Sequence, residues 1–535
     1  MVISPGSRNA PLIFTFTKDQ DYRCISAPDE RVAAFVAMGL TLKSGEPVAV
    51  LCSSGSAVVN FYPAVVEAFY QRLPLLVLSA DRPSEMIDQA MGQTIKQDKV
   101  FENHVVKSFT LIREPIDSLS KNYNQRSINE AMMALKVGPV HINIPFNEPL
   151  YEQTETLYPA QFIATTRGER TLDLTKLKSL ANTWNNSPKI WVLVGQMRPS
   201  AQLEHALNKL NDKSPFLIFS ETLSNLHCAN RIPCIDRLLN SLNEEEKEAL
   251  KPDLVLTLGG EIVSKVVKNY LRNYTPKAHW HINERKDLVD TFNVLTDHVQ
   301  ADPSLFLEGI ELQVLNKDSS YRDNFINAHV LRVKRHEAYM DKVAFSDLAA
   351  FNSIQQSLPL GSILHCANST SIRYAQLFEY RNKIAHYANR GTSGIDGCTS
   401  TAIGHALSTE EIVVLVTGDL AFLYDSNAFW LNKLPSNLRV LILNNEGGNI
   451  FRIIDGPKED ADFEEFQETH HQMELSGIAK TFDLPFETVA SKEELDYVLK
   501  DFFALSNRPK IMEIKTPRLT NPSMLREYFQ FLKNG

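Results

Sequence analysis

The sequence predicts an α/β protein made of three consecutive α/β domains with mostly parallel sheets. Short runs of aliphatic and β-branched residues alternate along the chain with segments of helical periodicity, which is the order of repeated βαβ units. The length of 535 residues also exceeds what a single hydrophobic core normally serves. We therefore expect an N-terminal domain over residues 1–150, a central domain over 165–325 and a C-terminal domain over 340–535.

Composition and charge argue against several classes of protein. The formal net charge is -9 and no long basic block occurs, so we expect no nucleic-acid partner. No apolar run reaches the ~18 residues of a membrane span, and the N-terminus lacks a signal peptide, so we expect no membrane insertion. The 6 cysteines show no C-x-x-C spacing, which argues against a disulfide framework or a zinc site and favours a reducing, cytoplasmic location.

The N-terminal domain begins with what looks like the end of a strand, at residues 2–3, so we expect it to be truncated at its start. The turn that follows offers Ser7 and Arg8 to an anion, although an exposed surface turn explains the same residues. Glu30 opens a helix, where the helix dipole alone favours an acidic residue. A polar segment from 147 to about 170 predicts a linker. Between these points we predict strands at 48–52, 75–79 and 140–144, and one helix at 58–70.

The central domain repeats this alternation of strands and helices. It lacks a G-x-G-x-x-G motif, so a dinucleotide site has no direct support. We interpret two histidine pairs, His279 with His281 and His470 with His471, as structural and not metal-binding. Residues 302–343 are polar, and we predict a helical connector there. The predicted central strands lie at 190–194, 216–219, 254–258 and 279–282.

The C-terminal domain contains the stretch with the clearest site pattern. Predicted strands at 412–417 and 438–443 flank one helix, as in a βαβ unit. Asp419 and Asn445 then fall just past the carboxyl ends of adjacent strands, where open α/β sheets bind ligands. With the backbone at Gly447, they offer oxygen ligands to a small hard cation that also holds phosphates. Ordinary turn residues after buried strands explain this pattern about equally well.

The order of the motifs resembles that of thiamine-diphosphate-dependent enzymes, which have an early helix-opening glutamate, G-D after one strand and N-N after the next. Within these enzymes, a set of five motifs is similar to the 2-succinyl-5-enolpyruvyl-6-hydroxy-3-cyclohexene-1-carboxylate synthases of menaquinone biosynthesis. The motifs are S-P-G-S-R, D-E-R, A-D-R-P, N-R-G-x-S-G-I-D-G and N-N-x-G-G-x-I-F. The resemblance spans nearly the whole chain and is sharpest over residues 4–145 and 366–455.

This resemblance implies a cofactor and a metal ion. Asp419, the side chain of Asn445 and the carbonyl of Gly447 would hold Mg²⁺ or Mn²⁺ against the diphosphate of thiamine diphosphate. Glu30 would hydrogen-bond N1′ of the aminopyrimidine, and Ile395 would be the apolar wedge that bends the cofactor, although a core residue would look the same. Glu30 and Asp419 lie on different domains, which in this superfamily belong to different subunits at each site. A homodimer or a homotetramer is therefore implied.

The implied reaction is the decarboxylation of 2-oxoglutarate and the conjugate addition of the succinyl unit to isochorismate, catalysed by a transferase. Both substrates are dicarboxylates, so the site needs several cationic donors. Val266 stands where some members have arginine, which leaves one carboxylate contact open. The implied catalytic residues are Glu30 and Gln93, and the implied substrate-binding residues are Ser7, Arg8, Arg82, Lys265, Ser369, Arg373, Arg390 and Phe451.

Two other functions remain open from the sequence. One is another thiamine-diphosphate enzyme, either a 2-oxo acid decarboxylase or an acetolactate-type carboligase, against which the set of arginines argues. The other is a non-catalytic α/β ligand-binding protein that kept the fold, which would show no metal-dependent binding of the cofactor.

Overall fold

The computed structural model describes residues 1–152, 161–165, 172–380, 384–454, 456 and 460–534. Within these ranges the chain forms three six-stranded sheets, and every strand pairing is parallel. The predicted fold class is thus confirmed. The predicted linker at 147–170 lies partly outside the described residues. No helix in the described ranges is both long and apolar enough to cross a membrane.

The first sheet confirms the three predicted strands and corrects one helix. Its strand order is β2-β1-β3-β4-β6-β5, from β1 (Val2–Ile3), β2 (Ile25–Ser26), β3 (Val48–Cys52), β4 (Leu75–Asp81), β5 (Lys107–Thr110) and β6 (Val140–Pro145). Its helices are α1 (Ala10–Lys18), α2 (Glu30–Ser44), α3 (Ser56–Asn60), α4 (Tyr62–Gln71) and α5 (Ser118–Ala134). The prediction of a single helix at 58–70 is wrong, because α3 ends at Asn60 and α4 begins at Tyr62 with Pro63, which has no N–H to donate, in its first turn.

The second sheet confirms the strands predicted for the central domain. Its order is β12-β11-β10-β7-β8-β9, from β7 (Ile190–Val194), β8 (Leu217–Ser220), β9 (Arg231–Ile232), β10 (Leu254–Leu258), β11 (Ala278–Ile282) and β12 (Asp297–Val299). Its helices are α6 (Leu174–Asn185), α7 (Ala201–Lys213), α8 (Ile235–Leu239), α9 (Glu244–Leu250) and α10 (Lys265–Asn273). The predicted helical connector is confirmed as α11 (Pro303–Glu311) and α12 (Ser320–Met340).

The third sheet has the order β14-β13-β15-β16-β18-β17. Its strands are β13 (Ile363–Cys366), β14 (Ala385–Tyr387), β15 (Val413–Gly418), β16 (Leu438–Asn444), β17 (Phe486–Val489) and β18 (Lys510–Lys515). The helices are α13 (Asp347–Ser357), α14 (Thr370–Ala375), α15 (Cys398–Ala406), α16 (Asp419–Tyr424), α17 (Ile450–Ile453), α18 (Ser476–Thr481), α19 (Lys492–Phe502) and α20 (Asn521–Asn534).

The segment between β15 and β16 differs from the single helix that we predicted. It consists of α16 and a separate 3₁₀ turn at Ser426–Phe429. The break falls at Asp425, whose buried carboxylate accepts hydrogen bonds from the Ser400 N–H at 2.7 Å and the Ser400 hydroxyl at 2.8 Å. This tertiary contact fixes where the first helix ends.

Helices α2 and α15 join the N-terminal and C-terminal domains. They cross at Gly39 and Gly404, where an added Cβ would overlap the carbonyl oxygens of Thr401 and Val36 respectively. Glycine therefore permits a close backbone approach at this crossing. One hydrophobic cluster runs continuously from α2 to β15, so the two sheets share a core.

Candidate active site

The carboxyl ends of β15 and β16 bring the predicted metal ligands together. The two strands are neighbours, with Gly418 paired to Leu443. Asp419 is buried and starts α16; its Oδ1 accepts from the Leu420 N–H at 2.7 Å. Its Oδ2 accepts from the N–H of Gly447 at 2.8 Å, across the gap between the two loops. We call Asp419, Asn445 and Gly447 the clamp.

Asn445 contributes a buried oxygen to the clamp that has no hydrogen-bond partner among the described residues. Its side chain is 4% exposed, and its Nδ2 donates to Asp347 Oδ2 at 3.0 Å. Its Oδ1 is buried and has no hydrogen-bond partner among the described residues. An unsatisfied buried acceptor costs about 1–3 kcal/mol, so a group that binds this oxygen stabilises the site.

Gly447 supplies the third oxygen of the clamp through its backbone. Its φ of 146° lies in a region that L side chains rarely adopt, and an added Cβ would lie 2.8 Å from the Glu468 carbonyl oxygen. The Gly447 carbonyl accepts from the Asn449 N–H at 2.9 Å and keeps a second lone pair. A carboxylate, an amide oxygen and a carbonyl oxygen fit a hard divalent cation. The described residues contain no group of three or more His, Cys, Asp or Glu side chains that could hold a metal ion. The mixed set of oxygens in the clamp is therefore the candidate metal site.

His471 is a residue of this site that the sequence interpretation missed. Its Nδ1 accepts from the Met473 N–H at 3.2 Å, so the proton of a neutral ring lies on Nε2. That Nε2 faces Asp419 Oδ2 at 3.4 Å, and the Asp419 carboxylate raises the pKa of the His471 imidazole in spite of its burial. His470 instead faces Glu446. The interpretation of this pair as structural therefore misses the contact of His471 with the clamp.

Ile395 lies beside the clamp, whereas Glu30 belongs to the other sheet. Ile395 packs against Ala367, Cys398 and Ala421, the last of which is in the helix that Asp419 starts. Glu30 is half-buried at the first position of α2. No hydrogen bond or ion pair joins Glu30 to the clamp within the described residues.

Two arginines of the C-terminal domain, Arg373 and Arg390, lie close together. Arg373 Nη1 donates to the Ser369 carbonyl at 2.6 Å, and Arg390 Nη1 donates to Asn368 Oδ1 at 2.9 Å. Burial lowers the pKa of both guanidinium groups, and the charge of Arg390 lowers the pKa of Arg373 further, which indicates that the two are close. Neither forms an ion pair with a described residue, and Arg390 Nε is buried without a partner. Two close cations with free donors favour a carboxylate.

The central domain adds charged groups to this region. Lys265 is exposed at the first position of α10. Lys268, one turn later, is a residue that we did not predict; burial lowers its pKa, and it interacts electrostatically with Glu221 and Arg390. Burial also raises the pKa of Glu221 to about 7, although its carboxylate accepts hydrogen bonds from the N–H groups of Val263 and Ser264, which act to lower it. The spacing of Lys265 and Lys268 on one helix face is the sequence signal that could have identified Lys268.

The predicted polar residues of the N-terminal domain gather at the carboxyl edge of the first sheet. Arg8 is 4% exposed and donates to the Phe146 carbonyl and to Glu148 Oε1, at 3.2 and 3.0 Å, while its Nε has no partner. Arg82 Nε donates to the Gly92 carbonyl at 3.0 Å. Burial raises the pKa of Asp81, although the positive charges of Arg8 and Arg82 act to lower it. Both arginines are therefore near enough to Asp81 to act on its charge, although Arg8 forms its ion pair with Glu148.

The remaining predicted residues lie at the rims of these two regions. Ser7 is exposed beside Arg8, and the carbonyl of Gln93 accepts from Ser54 Oγ at 2.9 Å. Ser369 has a φ of 72°, which is unusual for a residue with a side chain and marks local strain next to Arg373. Phe451 is 37% exposed in α17. The structure thus forms two groups, one on each outer sheet.

Three family models cover most of the chain. Residues 1–100 match the thiamine pyrophosphate enzyme, N-terminal TPP binding domain, and residues 368–514 match the corresponding C-terminal TPP binding domain. Residues 170–364 match the middle domain of thiamine pyrophosphate enzymes. The clamp lies in the C-terminal TPP binding domain and Glu30 in the N-terminal one. The fold and these matches define the chain as a thiamine-pyrophosphate-dependent enzyme.

Full-length relatives narrow this class to one family. A protein of Christiangramia forsetii is 42% identical over 100% of this chain and 96% of its own length. Proteins of Flavobacterium psychrophilum and Porphyromonas gingivalis are 40% and 37% identical over 99% of this chain, and over 96% and 94% of their own lengths. All three are named 2-succinyl-5-enolpyruvyl-6-hydroxy-3-cyclohexene-1-carboxylate synthase. The chain belongs to this synthase family.

Proposed function

We propose that the protein is a transferase that decarboxylates 2-oxoglutarate and adds the succinyl unit to isochorismate. The products are 2-succinyl-5-enolpyruvyl-6-hydroxy-3-cyclohexene-1-carboxylate and CO₂, in menaquinone biosynthesis. The observation that carries this proposal is the pair Arg373 and Arg390, two close guanidinium groups that form no ion pair with a described residue, although the charges of Asp236 and of Glu221 act on them from further away. Both proposed substrates are dicarboxylates, and each charge-assisted hydrogen bond contributes about 1.5–3 kcal/mol.

The clamp is proposed to hold the cofactor through a metal ion. Asp419, Asn445 Oδ1 and the Gly447 carbonyl would bind Mg²⁺, or Mn²⁺, against the diphosphate; the unpartnered Asn445 oxygen supports this assignment. When bound, thiamine diphosphate supplies the carbanion chemistry that protein side chains lack. Ile395 would press on the cofactor from the side of α16 and hold its bent conformation.

Glu30 is proposed to exchange a proton with N1′ of the aminopyrimidine, and Gln93 to contact the reacting substrates. Glu30 forms no hydrogen bond or ion pair with the clamp of its own chain within the described residues, and it lies on the other outer sheet, which supports a site shared between subunits. A homodimer would then be the smallest active unit, and a homotetramer would contain two such pairs. Ser7, Arg8 and Arg82 would bind substrate from the N-terminal domain.

Substrate is also proposed to meet Lys265, Ser369 and Phe451, which border the region of the two C-terminal arginines. We place the domain boundaries at 1–150, 165–325 and 340–535, which the three separate sheets support. We also propose a cytoplasmic location, which the six free cysteines of the chain support.

The test is to incubate the protein with thiamine diphosphate, Mg²⁺, 2-oxoglutarate and isochorismate, and to identify the products by mass. The coupled product is the expected result. Release of CO₂ without consumption of isochorismate would indicate another thiamine-diphosphate enzyme, either a 2-oxo acid decarboxylase or an acetolactate-type carboligase. Calorimetry that detects no metal-dependent binding of thiamine diphosphate would indicate a non-catalytic binding protein.

A further inference from the structure

Glu67 is a buried carboxylate of the N-terminal domain that binds a loop of the C-terminal domain. It lies in α4 and is 1% exposed. Its Oε1 accepts from the Gly391 N–H at 2.7 Å, and its Oε2 accepts from both the N–H and the hydroxyl of Thr392 at 2.7 Å. Gln71 Nε2, one turn further along α4, donates to Oε1 at 2.5 Å. Four donors from neutral groups therefore surround this carboxylate.

The same loop also contacts the central domain through Gln71. Gln196, just after β7, donates from its Nε2 to Gln71 Oε1 at 3.0 Å and to the Ala388 carbonyl at 3.3 Å. Gln71 Nε2 also reaches the Ala388 carbonyl, at 3.4 Å. One polar network thus connects all three sheets at the segment 388–392.

This segment contains Arg390, one of the two arginines without an ion-pair partner. On its other side the segment is held by Asn368, whose Nδ2 donates to the carbonyls of Asn389 and Gly394 at 2.6 and 2.7 Å. Arg390 therefore lies between two anchors, Asn368 and Glu67. The fit at Glu67 is tight, because a Cβ at Gly391 would lie 2.5 Å from the Glu67 carbonyl oxygen.

We propose that Glu67 is a positioning residue that fixes the backbone at Gly391 and Thr392 and thereby aims the guanidinium of Arg390 at the carboxylate of an acidic substrate. This inference rests on the proposed function, since it needs Arg390 to bind substrate. It makes the N-terminal domain part of the substrate site of its own chain, even though Glu67 touches no substrate.

Glutamate is the side chain that this contact requires. Each carboxylate oxygen accepts at least two hydrogen bonds here, and a glutamine amide has one acceptor oxygen and one donor group. In Glu67→Gln the amide NH₂ would face a backbone N–H or the Gln71 amide, so at least one donor of the loop would lose its acceptor. The loop, and Arg390 with it, would shift.

The test is a double-mutant cycle with Glu67→Gln, Arg390→Ala and the double variant. For each protein, KM and kcat are measured for 2-oxoglutarate and for isochorismate. Where Arg390→Ala raises the KM of an acid, we expect Glu67→Gln to raise the same KM about tenfold with a smaller change in kcat, because a misplaced Arg390 would lose much of its charge-assisted hydrogen bond to the substrate carboxylate. In the Arg390→Ala background we expect Glu67→Gln to change that KM less than about twofold. Thr392→Val, which removes one of the four donors, should raise the same KM by a smaller factor. This variant tests the same contact if Glu67→Gln does not fold.

Glu411→Gln is the matched control. Glu411 also bridges the two outer domains, through Lys43 Nζ at 3.0 Å, but it is exposed and does not contact the loop. We expect it to leave both KM values unchanged. Thermal unfolding of every variant checks the fold, and faster amide exchange at Gly391 and Thr392 in Glu67→Gln would show directly that the loop has been released.

The outcomes separate the two proposals. If wild-type protein forms no coupled product, the proposed function fails and this inference fails with it. If wild-type protein is active and Arg390→Ala changes neither KM, Arg390 does not bind substrate, and the proposed positioning role of Glu67 is excluded. If Arg390→Ala raises a KM but Glu67→Gln has the same effect in both backgrounds, or none, Glu67 is a structural contact only.

Discussion

Replacing Asn445 with alanine separates the stability of the protein from its affinity for the cofactor. In the apo protein the substitution removes the hydrogen bond to the Asp347 carboxylate, worth about 1.5–3 kcal/mol, and also removes a buried oxygen without a partner, which costs about 1–3 kcal/mol. The two effects oppose each other. We therefore expect the free energy of unfolding of the apo protein to change by less than about 1 kcal/mol.

Cofactor binding should respond very differently to Asn445→Ala. If Asn445 Oδ1 is a metal ligand, the loss of a hydrogen bond or contact to a charged group removes about 1.5–3 kcal/mol, or about ten- to hundredfold in Kd. Calorimetric titration of thiamine diphosphate at fixed Mg²⁺ measures this change, and urea unfolding of the apo protein measures the stability.

Asn449→Ala is the control for this experiment. Asn449 Oδ1 is also buried and unpartnered, and its Nδ2 donates to the Arg518 carbonyl at 2.6 Å, but it lies outside the clamp. It should leave the Kd of the cofactor within about twofold of the wild-type value. An unchanged Kd in Asn445→Ala, or an equal loss in Asn449→Ala, would refute the assignment of Asn445 as a metal ligand.

Three further predictions concern proton transfer, substrate binding and pH. Glu30→Gln should abolish decarboxylation and leave the Kd of the cofactor largely unchanged, and calorimetry with a CO₂ assay tests this; unchanged turnover would exclude the role of Glu30. Arg373→Ala should raise the KM of an acidic substrate about tenfold or more and leave the melting temperature nearly unchanged, which steady-state kinetics and thermal unfolding check. Burial raises the pKa of Asp425 from 3.8 to about 7, so the folded state binds this proton more tightly than the unfolded state. Its contribution to stability is complete below about pH 4 and is lost as the pH rises through about 7, by an amount on the order of 4 kcal/mol. Urea unfolding between pH 4 and 8 should show this loss in wild type and not in Asp425→Asn; parallel pH profiles would contradict it.

The sequence predicted the central strands well because burial on both faces leaves a clear pattern. The strand predicted at 254–258 has the observed bounds, Leu254–Leu258, and all five of its residues are buried. By contrast, we did not predict β2, β5, β9, β12 or β14, which have two to four residues each and include half-buried or exposed positions. Such short strands depend on their neighbours in the sheet more than on their own residues.

The site was predictable where its residues follow consecutive strands and not where they come from distant segments. Asp419 and Asn445 each follow a strand, so the topology alone brought them together. Asp347 and His471 contact the clamp from segments that carry no motif, at the start of α13 and after the π-helical turn at Glu464–Glu468. Glu67 was missed for the same reason, because its partners lie in another domain.

The most direct test of the proposed function is the stoichiometry of the reaction with 2-oxoglutarate labelled at carbon 1. With thiamine diphosphate, Mg²⁺ and isochorismate present, we expect one labelled CO₂ for each isochorismate consumed and each coupled product formed, and almost no CO₂ when isochorismate is left out. Labelled CO₂ released at the same rate with and without isochorismate, and with no coupled product, would contradict the assignment of this protein as a synthase.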